Sequence, residues 1–197
     1  MQIIRKASFK ASPWKNGGGV THEVIRVPSG CDAFRWRVSV AQIEASGPFS
    51  DFADYHRKMV LLRGAGVRLT FDGRNHCELR EVGDMAEFDG ACATRCELKD
   101  GPCADLNLMV SKSITGVRAW TLRLRERQSL RPHRATMLAF AISGTVSLDT
   151  GEGAITSLQE WDLAVAASGD RVVVGPAVPH ESSAPLVFFA ALDDNSP

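Results

Sequence analysis

Side chains that alternate between apolar and polar set the strongest limit on what this chain can fold into. Residues 34–40, 67–71 and 120–124 all alternate with period two. This pattern is typical of a β-strand with one buried and one wet face, whereas apolar residues of a helix recur every three or four positions. Short turn signals rich in glycine, proline and aspartate separate these stretches. The sequence therefore predicts an all-β fold, a sandwich or barrel of short strands with little helix.

The two halves of the chain resemble each other. A constant shift that places Met59 on Leu138 also places Val67 on Val146. A slightly different shift matches the two alternating stretches that contain Trp36 and Trp120. Any two β segments share alternation, but a constant shift through strands and turns indicates a tandem repeat. We expect an N-terminal barrel over residues 1–112 and a C-terminal barrel over residues 113–197, with strands that can be exchanged between the halves.

Charge and cysteine content exclude several classes of partner. Lys and Arg together number 23, as do Asp and Glu, so the formal net charge is zero and no long-range field favours nucleic acid. The sequence has no apolar run of signal-peptide or bilayer-spanning length. Five irregularly spaced cysteines fit reduced thiols. We expect a cytoplasmic protein that binds neither nucleic acid nor a membrane.

The most unusual stretch is the glycine-rich segment 14–19. Three adjacent glycines allow backbone N–H groups to converge on a ligand, and an aromatic ring, a cation and an amide precede them. This combination suits a planar anion such as a carboxylate. The spacing is that of neither a P-loop nor a dinucleotide-binding motif, and a flexible hairpin is the structural alternative. The candidate ligand-binding residues here are Trp14, Lys15, Asn16, Gly17 and Gly18.

Polar residues recur with strand spacing after this segment. Glu23 follows the glycines, and Arg37 and Ser39 lie two apart on the strand predicted over residues 34–40. An inward-facing arginine is costly unless an acidic side chain or an anionic ligand pairs with it. Two alternatives stay open, a structural Arg37–Glu23 pair and a ligand contact.

Two later segments supply further candidate groups. Arg57 follows a loop that contains two aromatic residues. Farther along, polar and apolar residues alternate, so that Asp105, Asn107 and Met109 should share one face of a strand. On an inner face these groups would form a site, and on an outer face they would be solvated.

Two of the five histidines, His133 and His180, fall in segments similar to the metal-binding signatures of cupin barrels. The first signature also needs a second histidine and a glutamate, and Ala135 stands where that histidine would be. Two ligands of four do not hold a catalytic metal tightly, and the cysteines lack zinc-site spacing. No motif for a nucleophilic serine or cysteine is present. We therefore expect no metal, no cofactor and no catalytic residue.

These segments together resemble the HutD/Ves family of bacterial proteins. The match rests on residues 14–23, 34–41, 47–50 and 105–109, with Arg57. The resemblance implies a bicupin fold, two tandem cupin-like β-barrels, in agreement with the repeat. It also implies an accessory or regulatory role beside histidine degradation. The polar residues that the resemblance assigns to one pocket are Lys15, Asn16, Glu23, Arg37, Arg57, Asp105 and Asn107.

Two functions fit this combination. The first is a binding protein for a small carboxylate metabolite, such as urocanate or a formylated glutamate derivative. The second is a metal-independent isomerase or lyase, with Glu23 or Asp105 as the base. The lack of a suitably placed histidine favours binding over catalysis. Lys58, beside Arg57, is expected on the solvated rim of the pocket, and the association of two copies is left open.

Overall fold

The protein is described from a computed structural model that covers residues 1–130, 135–151, 155–178 and 184–193. Over these ranges the regular structure is a short 3-10 helix at Lys6–Ser8 and nineteen β-strands, which confirms the all-β prediction. The strands are β1 (Gln2–Ile4), β2 (Lys10–Pro13), β3 (Gly19–Val27), β4 (Trp36–Ile43), β5 (Gly47–Pro48), β6 (Tyr55–Arg63), β7 (Val67–Phe71), β8 (Asn75–Leu79), β9 (Met85–Asp89), β10 (Thr94–Leu98), β11 (Cys103–Ser111), β12 (Arg118–Arg123), β13 (Gln128–Leu130), β14 (Thr136–Ser143), β15 (Val146–Asp149), β16 (Ile155–Leu158), β17 (Leu163–Ala166), β18 (Val172–Pro176) and β19 (Leu186–Leu192).

The chain divides into two compact units. The N-terminal unit is Phe9–Ser113, and the C-terminal unit combines Met1–Ser8 with Ile114–Pro197. The first eight residues belong with the C-terminal unit because β1 pairs with β17. The change of unit at Ser113 lies next to the boundary that we expected between residues 112 and 113.

The N-terminal unit contains a six-stranded and a four-stranded sheet. The six-stranded sheet has the order β2-β3-β4-β11-β6-β9, and the four-stranded sheet the order β5-β10-β7-β8. A tight turn joins β7 to β8, where Asp72 and Gly73 adopt positive φ angles of 51° and 66°. That is the conformation expected of an Asp-Gly hairpin. The apolar core of the unit draws on both sheets and contains Ile43, Met59, Leu61, Val67, Leu69, Leu79, Ala86, Cys96 and Cys103.

Over its described residues, the C-terminal unit repeats this plan with one strand fewer. Its sheets have the orders β1-β17-β14-β19-β12 and β13-β18-β15-β16. The described part of its core contains Leu124, Met137, Ala139, Ala141, Val146, Leu148, Leu158, Ala164, Ala166, Val172, Val174, Val187, Phe189 and Ala191. These side chains are all apolar, so the unit is stabilised by burial alone at these positions.

The sequence repeat corresponds to a structural one, with two corrections. Counted from the register shift that each unit contains, Trp120 of β12 occupies the position of Ser39 in β4 and not that of Trp36. The shift from Val67 to Val146 is confirmed, because β7 pairs with β8 in the register in which β15 pairs with β16. In the preceding strand the shift is larger by one residue. Met59 is a core residue, and its counterpart in the second core is Ala139 and not Leu138. The connection after β6 is one residue longer than the one after β14, and a slip of one residue exchanges the two faces of a strand.

Within the described residues, no helix has the length and apolar character needed to cross a bilayer.

Candidate functional site

Five of the polar residues singled out in the sequence share one face of the six-stranded sheet. Each alternates in phase with a core residue of its own strand, for example Arg57 with Met59 and Ser39 with Ile43. They therefore point towards the four-stranded sheet. We call these residues the interior polar cluster: Arg37, Ser39, Arg57, Asp105 and Asn107.

Strand register arranges this cluster in three rows about 7 Å apart, the distance between alternate residues of a strand. Across β4, β11 and β6 the rows are Arg37–Met109–Arg57, then Ser39–Asn107–Met59, then Ala41–Asp105–Leu61. The predicted shared face of Asp105, Asn107 and Met109 is thus confirmed. Positive charge lies in the first row, and the carboxylate lies in the third.

Two aromatic rings and a thioether hold the guanidinium group of Arg37. Its central carbon lies 5.2 Å from the ring centroid of Phe34 and 5.3 Å from that of Phe52. Its Nη2 donates to Sδ of Met109 at 3.5 Å. Cation–π contacts of this kind restrain the plane of the guanidinium while leaving its N–H edge free to bind.

Three aromatic rings surround the guanidinium group of Arg57. The ring centroids lie at 5.2 Å for Phe49, 5.6 Å for Phe52 and 4.9 Å for Phe88. Its Nη1 donates to the backbone carbonyl of Ser50 at 3.5 Å, a long hydrogen bond. The ring of Phe52 is therefore shared between the two arginines.

Phe34 and Phe88 contact the two arginines, and sequence reasoning did not single out either as a site residue. Phe34 was assigned to a strand and to a segment of the family resemblance, and no prediction was made for Phe88. Phe88 lies directly opposite Arg57 because β9 pairs with β6. Only the register of two strands separated by the β7–β8 hairpin reveals this neighbour, so no local sequence pattern indicates it.

Several polar atoms of the cluster are buried without a hydrogen-bond partner among the described residues. They are Nε of Arg37, Nε of Arg57, both carboxylate oxygens of Asp105 and Oδ1 of Asn107. Buried polar atoms without partners are rare, because each costs about 1–3 kcal/mol. The cluster thus presents donors in its first row and acceptors in its second and third rows.

Burial also shifts the proton affinities of the charged members. Loss of solvation raises the pKa of Asp105 to about 7, although the nearby Arg57 guanidinium acts in the opposite direction. Burial lowers the pKa of Arg57 to about 10, against the attraction of Asp105. The pKa of Arg37 is lowered by burial and, to a lesser extent, by repulsion from Arg26. At neutral pH the arginines are charged, and the Asp105 carboxyl is divided between its two protonation states.

Glu23 does not form the ion pair with Arg37 that was one of our two alternatives. Its carboxylate binds Arg26 instead, with Nη2 at 2.7 Å and Nε at 2.9 Å. Glu23 lies opposite Ser39, next to the cluster on β3. Because Glu23 is held by Arg26, the Arg37 guanidinium keeps its aromatic contacts and an unpaired Nε.

The glycine-rich segment forms the hairpin turn between β2 and β3. The N–H of Gly17 donates to the carbonyl of Trp14 at 3.0 Å, and the N–H of Gly18 donates to Oδ1 of Asn16 at 3.0 Å. The expectation that these backbone donors serve a ligand is therefore revised, since the turn itself uses them. Lys15 and Asn16 are exposed on this turn and are not part of the interior polar cluster.

Trp14 connects the hairpin to the arginines. Its Nε1 donates to Oγ1 of Thr21 at 2.7 Å, and its ring meets that of Phe49 edge-on at 6.4 Å. A side chain on Gly19 would collide with the carbonyl of Gln42 and with the tryptophan ring. The glycine is thus required for close approach, and Trp14 stands behind the ring that covers Arg57.

Lys58 is not the solvated rim residue that we expected. It lies on the opposite face of β6 from Arg57, is only 6% exposed, and its Nζ lies 2.6 Å from a carboxylate oxygen of Glu87. Strand alternation explains the error, because both faces of this sheet are buried at β6.

The prediction that His133 and His180 hold no metal concerns residues that lie outside the described ranges. Within those ranges, no three His, Cys, Asp or Glu side chains are grouped as metal ligands. All five cysteines are free thiols, and of the spaced set Cys92, Cys96 and Cys103 the last two are buried. Burial raises the pKa of Cys96 to about 12, which keeps it protonated.

Comparison with known proteins gives a consistent family. The HutD family model matches residues 6–179. An uncharacterised protein in the hutC 3′ region of Pseudomonas putida is 35% identical over 163 residues, which is 82% of this chain and 84% of that protein.

Solved structures also match this chain. A conserved protein of unknown function from Pseudomonas aeruginosa PAO1 has a TM-score of 0.86 at 30% identity and 98% coverage of both chains. HutD from Pseudomonas fluorescens SBW25, in a formate condition, has a TM-score of 0.78 at 28% identity, covering 97% of this chain and 98% of that one. An oxalate decarboxylase from Lactobacillus farciminis has a TM-score of 0.70 at 7% identity, which shows the cupin-like fold alone.

Proposed function

The chain belongs to the HutD family, and from this premise and the interior polar cluster we propose that it binds a small carboxylate metabolite and serves histidine utilisation in an accessory or regulatory role. Urocanate and N-formylglutamate are the ligands that we would test first. The family name and the hutC-region relative support the link to histidine utilisation.

One observation carries this proposal: the buried Arg57 and the half-buried Arg37 both contact aromatic rings and keep buried Nε donors without a hydrogen-bond partner. A guanidinium group presents parallel N–H donors that match the two oxygens of a carboxylate. Aromatic rings on the guanidinium faces leave only this edge for the ligand. Structural ion pairing would instead have placed an acidic side chain there, as Glu23 is placed against Arg26.

The test is the thermal shift produced by each compound on the wild-type protein and on Arg37→Ala. A compound at 100 times its Kd should stabilise the wild type by roughly 2.7 kcal/mol. We expect Arg37→Ala to lose this shift and Arg74→Ala, which changes an exposed arginine of the same unit, to keep it. The methyl ester of urocanate should give no shift, because it lacks the carboxylate.

An unchanged shift in Arg37→Ala would contradict the proposal. Lys15→Ala measures separately whether the exposed hairpin adds a contact.

Asp105 favours a second candidate function, a metal-independent isomerase or lyase. A carboxyl with a pKa of about 7 can accept a proton from a substrate at neutral pH, and the two arginines would stabilise the resulting enolate-like charge. Incubation of each binding compound with the protein, followed by proton NMR, separates the two functions. New product signals that disappear in Asp105→Asn would replace the binding role with a catalytic one.

A further inference from the structure

We infer that Asp105 and Asn107 form a second subsite, at the deep end of the interior polar cluster, which accepts a hydrogen-bond donor carried by the far end of the bound carboxylate. This inference rests on the proposed function, since Arg37 and Arg57 must hold the carboxylate end. It adds the requirement that the ligand carry an N–H or O–H group at the end opposite its carboxylate.

The order of side chains along β11 determines which end of the ligand lies at the arginines and which end lies at Asp105. Met109, Asn107 and Asp105 follow one another on the same face, and Met109 is the residue that Arg37 contacts. From Met109 to Asp105, this face of the sheet therefore changes from hydrogen-bond donors to hydrogen-bond acceptors. Each step covers about 7 Å along the strand, so the backbone positions of Met109 and Asp105 lie two steps, about 14 Å, apart. The Arg57 side chain is long enough for its charge to act on Asp105, so a small bifunctional molecule can span from the arginines to the carboxylate.

The acceptors of this subsite are buried and unpaired. Asp105 is 1% exposed and Asn107 is 6% exposed, and three of their oxygens lack a partner among the described residues. The residues directly opposite Asp105 are Ala41 and Leu61, which offer no side-chain donor. A ligand with an apolar or acidic far end would leave these oxygens unsatisfied, whereas an N–H or O–H group would satisfy them.

The groups nearest Asp105 lie on three neighbouring strands and on its own strand. Arg57 on β6 attracts it, Cys96 on β10 and Cys103 on its own strand are thiols, and β4 contributes Ala41. A bound carboxylate offsets the charge of Arg57, so by itself it should raise the pKa of Asp105. A donor at the far end has the opposite effect, because it stabilises the ionised carboxylate.

Three matched compounds test the inference: the monoamide of glutaric acid, glutarate itself, and the analogue with an isopropyl group in place of the amide. They share chain length and one carboxylate, and they differ only in what reaches Asp105. At about pH 8, where a group of this pKa is mostly ionised, we expect the wild type to bind the monoamide at least about tenfold more tightly than the isopropyl analogue. Glutarate should bind most weakly, because its second carboxylate meets another.

The discriminating variant is Asp105→Asn, which keeps the shape and removes the charge. It should bind the isopropyl analogue within about threefold of the wild type and lose at least about tenfold of the preference for the monoamide over glutarate. Asp100→Asn, at an exposed site of the same unit, should leave all three affinities unchanged.

Carboxyl carbon NMR of Asp105 gives an independent measurement. The pKa of Asp105 should fall when the monoamide binds and rise when the isopropyl analogue binds. If neither these compounds nor urocanate and N-formylglutamate bind, the proposed function fails and the subsite fails with it. If urocanate or N-formylglutamate binds and the monoamide does not, only the second subsite is overturned. If the isopropyl analogue binds as tightly as the monoamide, or if Asp105→Asn keeps the wild-type order of affinities, the carboxylate site stands and only the second subsite is overturned.

Discussion

The N-terminal and C-terminal units contain equivalent sheets whose inner faces carry different side chains. Both units contain a β-bulge at the same place, which gives a reference point for aligning them. Asp105 pairs with Leu61 just beyond this shift of register in the first unit, and Val187 pairs with Ala141 just beyond it in the second. Asp105 and Val187 are therefore equivalent positions. Both are buried, and only the first is charged.

The same alignment extends to the other members of the interior polar cluster. Register pairs the equivalents as Arg37 with Arg118, Arg57 with Met137, Asn107 with Phe189 and Ser39 with Trp120. Met137 and Phe189 lie in the apolar core of the C-terminal unit, whereas Arg118 is exposed. The ring of Trp120, which is 36% exposed, stacks on that of Phe189 at 5.5 Å. One scaffold thus tolerates either an apolar filling or a set of unpaired polar groups. The second arrangement gives up stability, in keeping with the ligand role proposed above.

The largest expected effect comes from making the second unit resemble the first. Val187→Asp places a carboxylate in an apolar core that has no arginine at the position of Arg57, so we expect a loss on the order of 5 kcal/mol in the free energy of unfolding. Val178→Asp is the matched control, because Val178 is 52% exposed. Urea unfolding of both variants measures the difference. Equal, small losses would mean that the C-terminal core can accommodate a charge. The difference that we draw between the two interiors would then be wrong.

A somewhat smaller effect is expected from the pH dependence of the first unit. The folded pKa of Asp105 is raised to about 7, whereas an unfolded aspartate titrates near about 4. Between these values the unfolded chain has released the proton and the folded chain still holds it, so stability falls as pH rises through this window and is level above it. The expected loss is about 4 kcal/mol, at about 1.4 kcal/mol for each unit of pKa difference.

Asp105→Asn isolates this contribution, because the other titrating groups cancel in the difference between variant and wild type. Its stability relative to the wild type should increase from about pH 4 to about pH 7, measured by urea unfolding at each pH. A difference that does not vary with pH would show that Asp105 titrates normally and that its burial carries no penalty.

The smallest effect concerns the opposite face of the same strands. Lys58 and Glu87 are paired across β6 and β9, and the equivalent residues of the C-terminal unit are Leu138 and Val165. Glu87→Gln leaves the buried Lys58 ammonium without its ionic partner and should cost about 1 kcal/mol, since Glu87 itself is half exposed. Lys58→Leu should restore stability in the double variant. A change in carboxylate binding in Glu87→Gln would contradict the separation of the two faces.

The sequence by itself determined the all-β class, the repeat and the face shared by Asp105, Asn107 and Met109. These follow from alternation and turn chemistry, which act between neighbours along the chain. It also identified Arg37 as a candidate, because an inward-facing arginine in an alternating strand requires a partner. Arg57 was a candidate from its position after an aromatic loop and from the family resemblance. The same local reasoning failed for the glycine segment, where Asn16 caps its own turn at Gly18.

Only the tertiary structure decided which faces are buried and which residues meet across strands. The pairing of β9 with β6 brings Phe88 to Arg57, the pairing of Glu23 with Arg26 leaves Arg37 unpaired, and burial of both faces of β6 makes Lys58 a core residue. The exact shift of the repeat belongs here as well, since one extra residue between β6 and β7 exchanges inside and outside. Periodicity along a strand defines two faces, but which face is solvated, and what lies opposite each residue, depends on contacts between segments far apart in the chain.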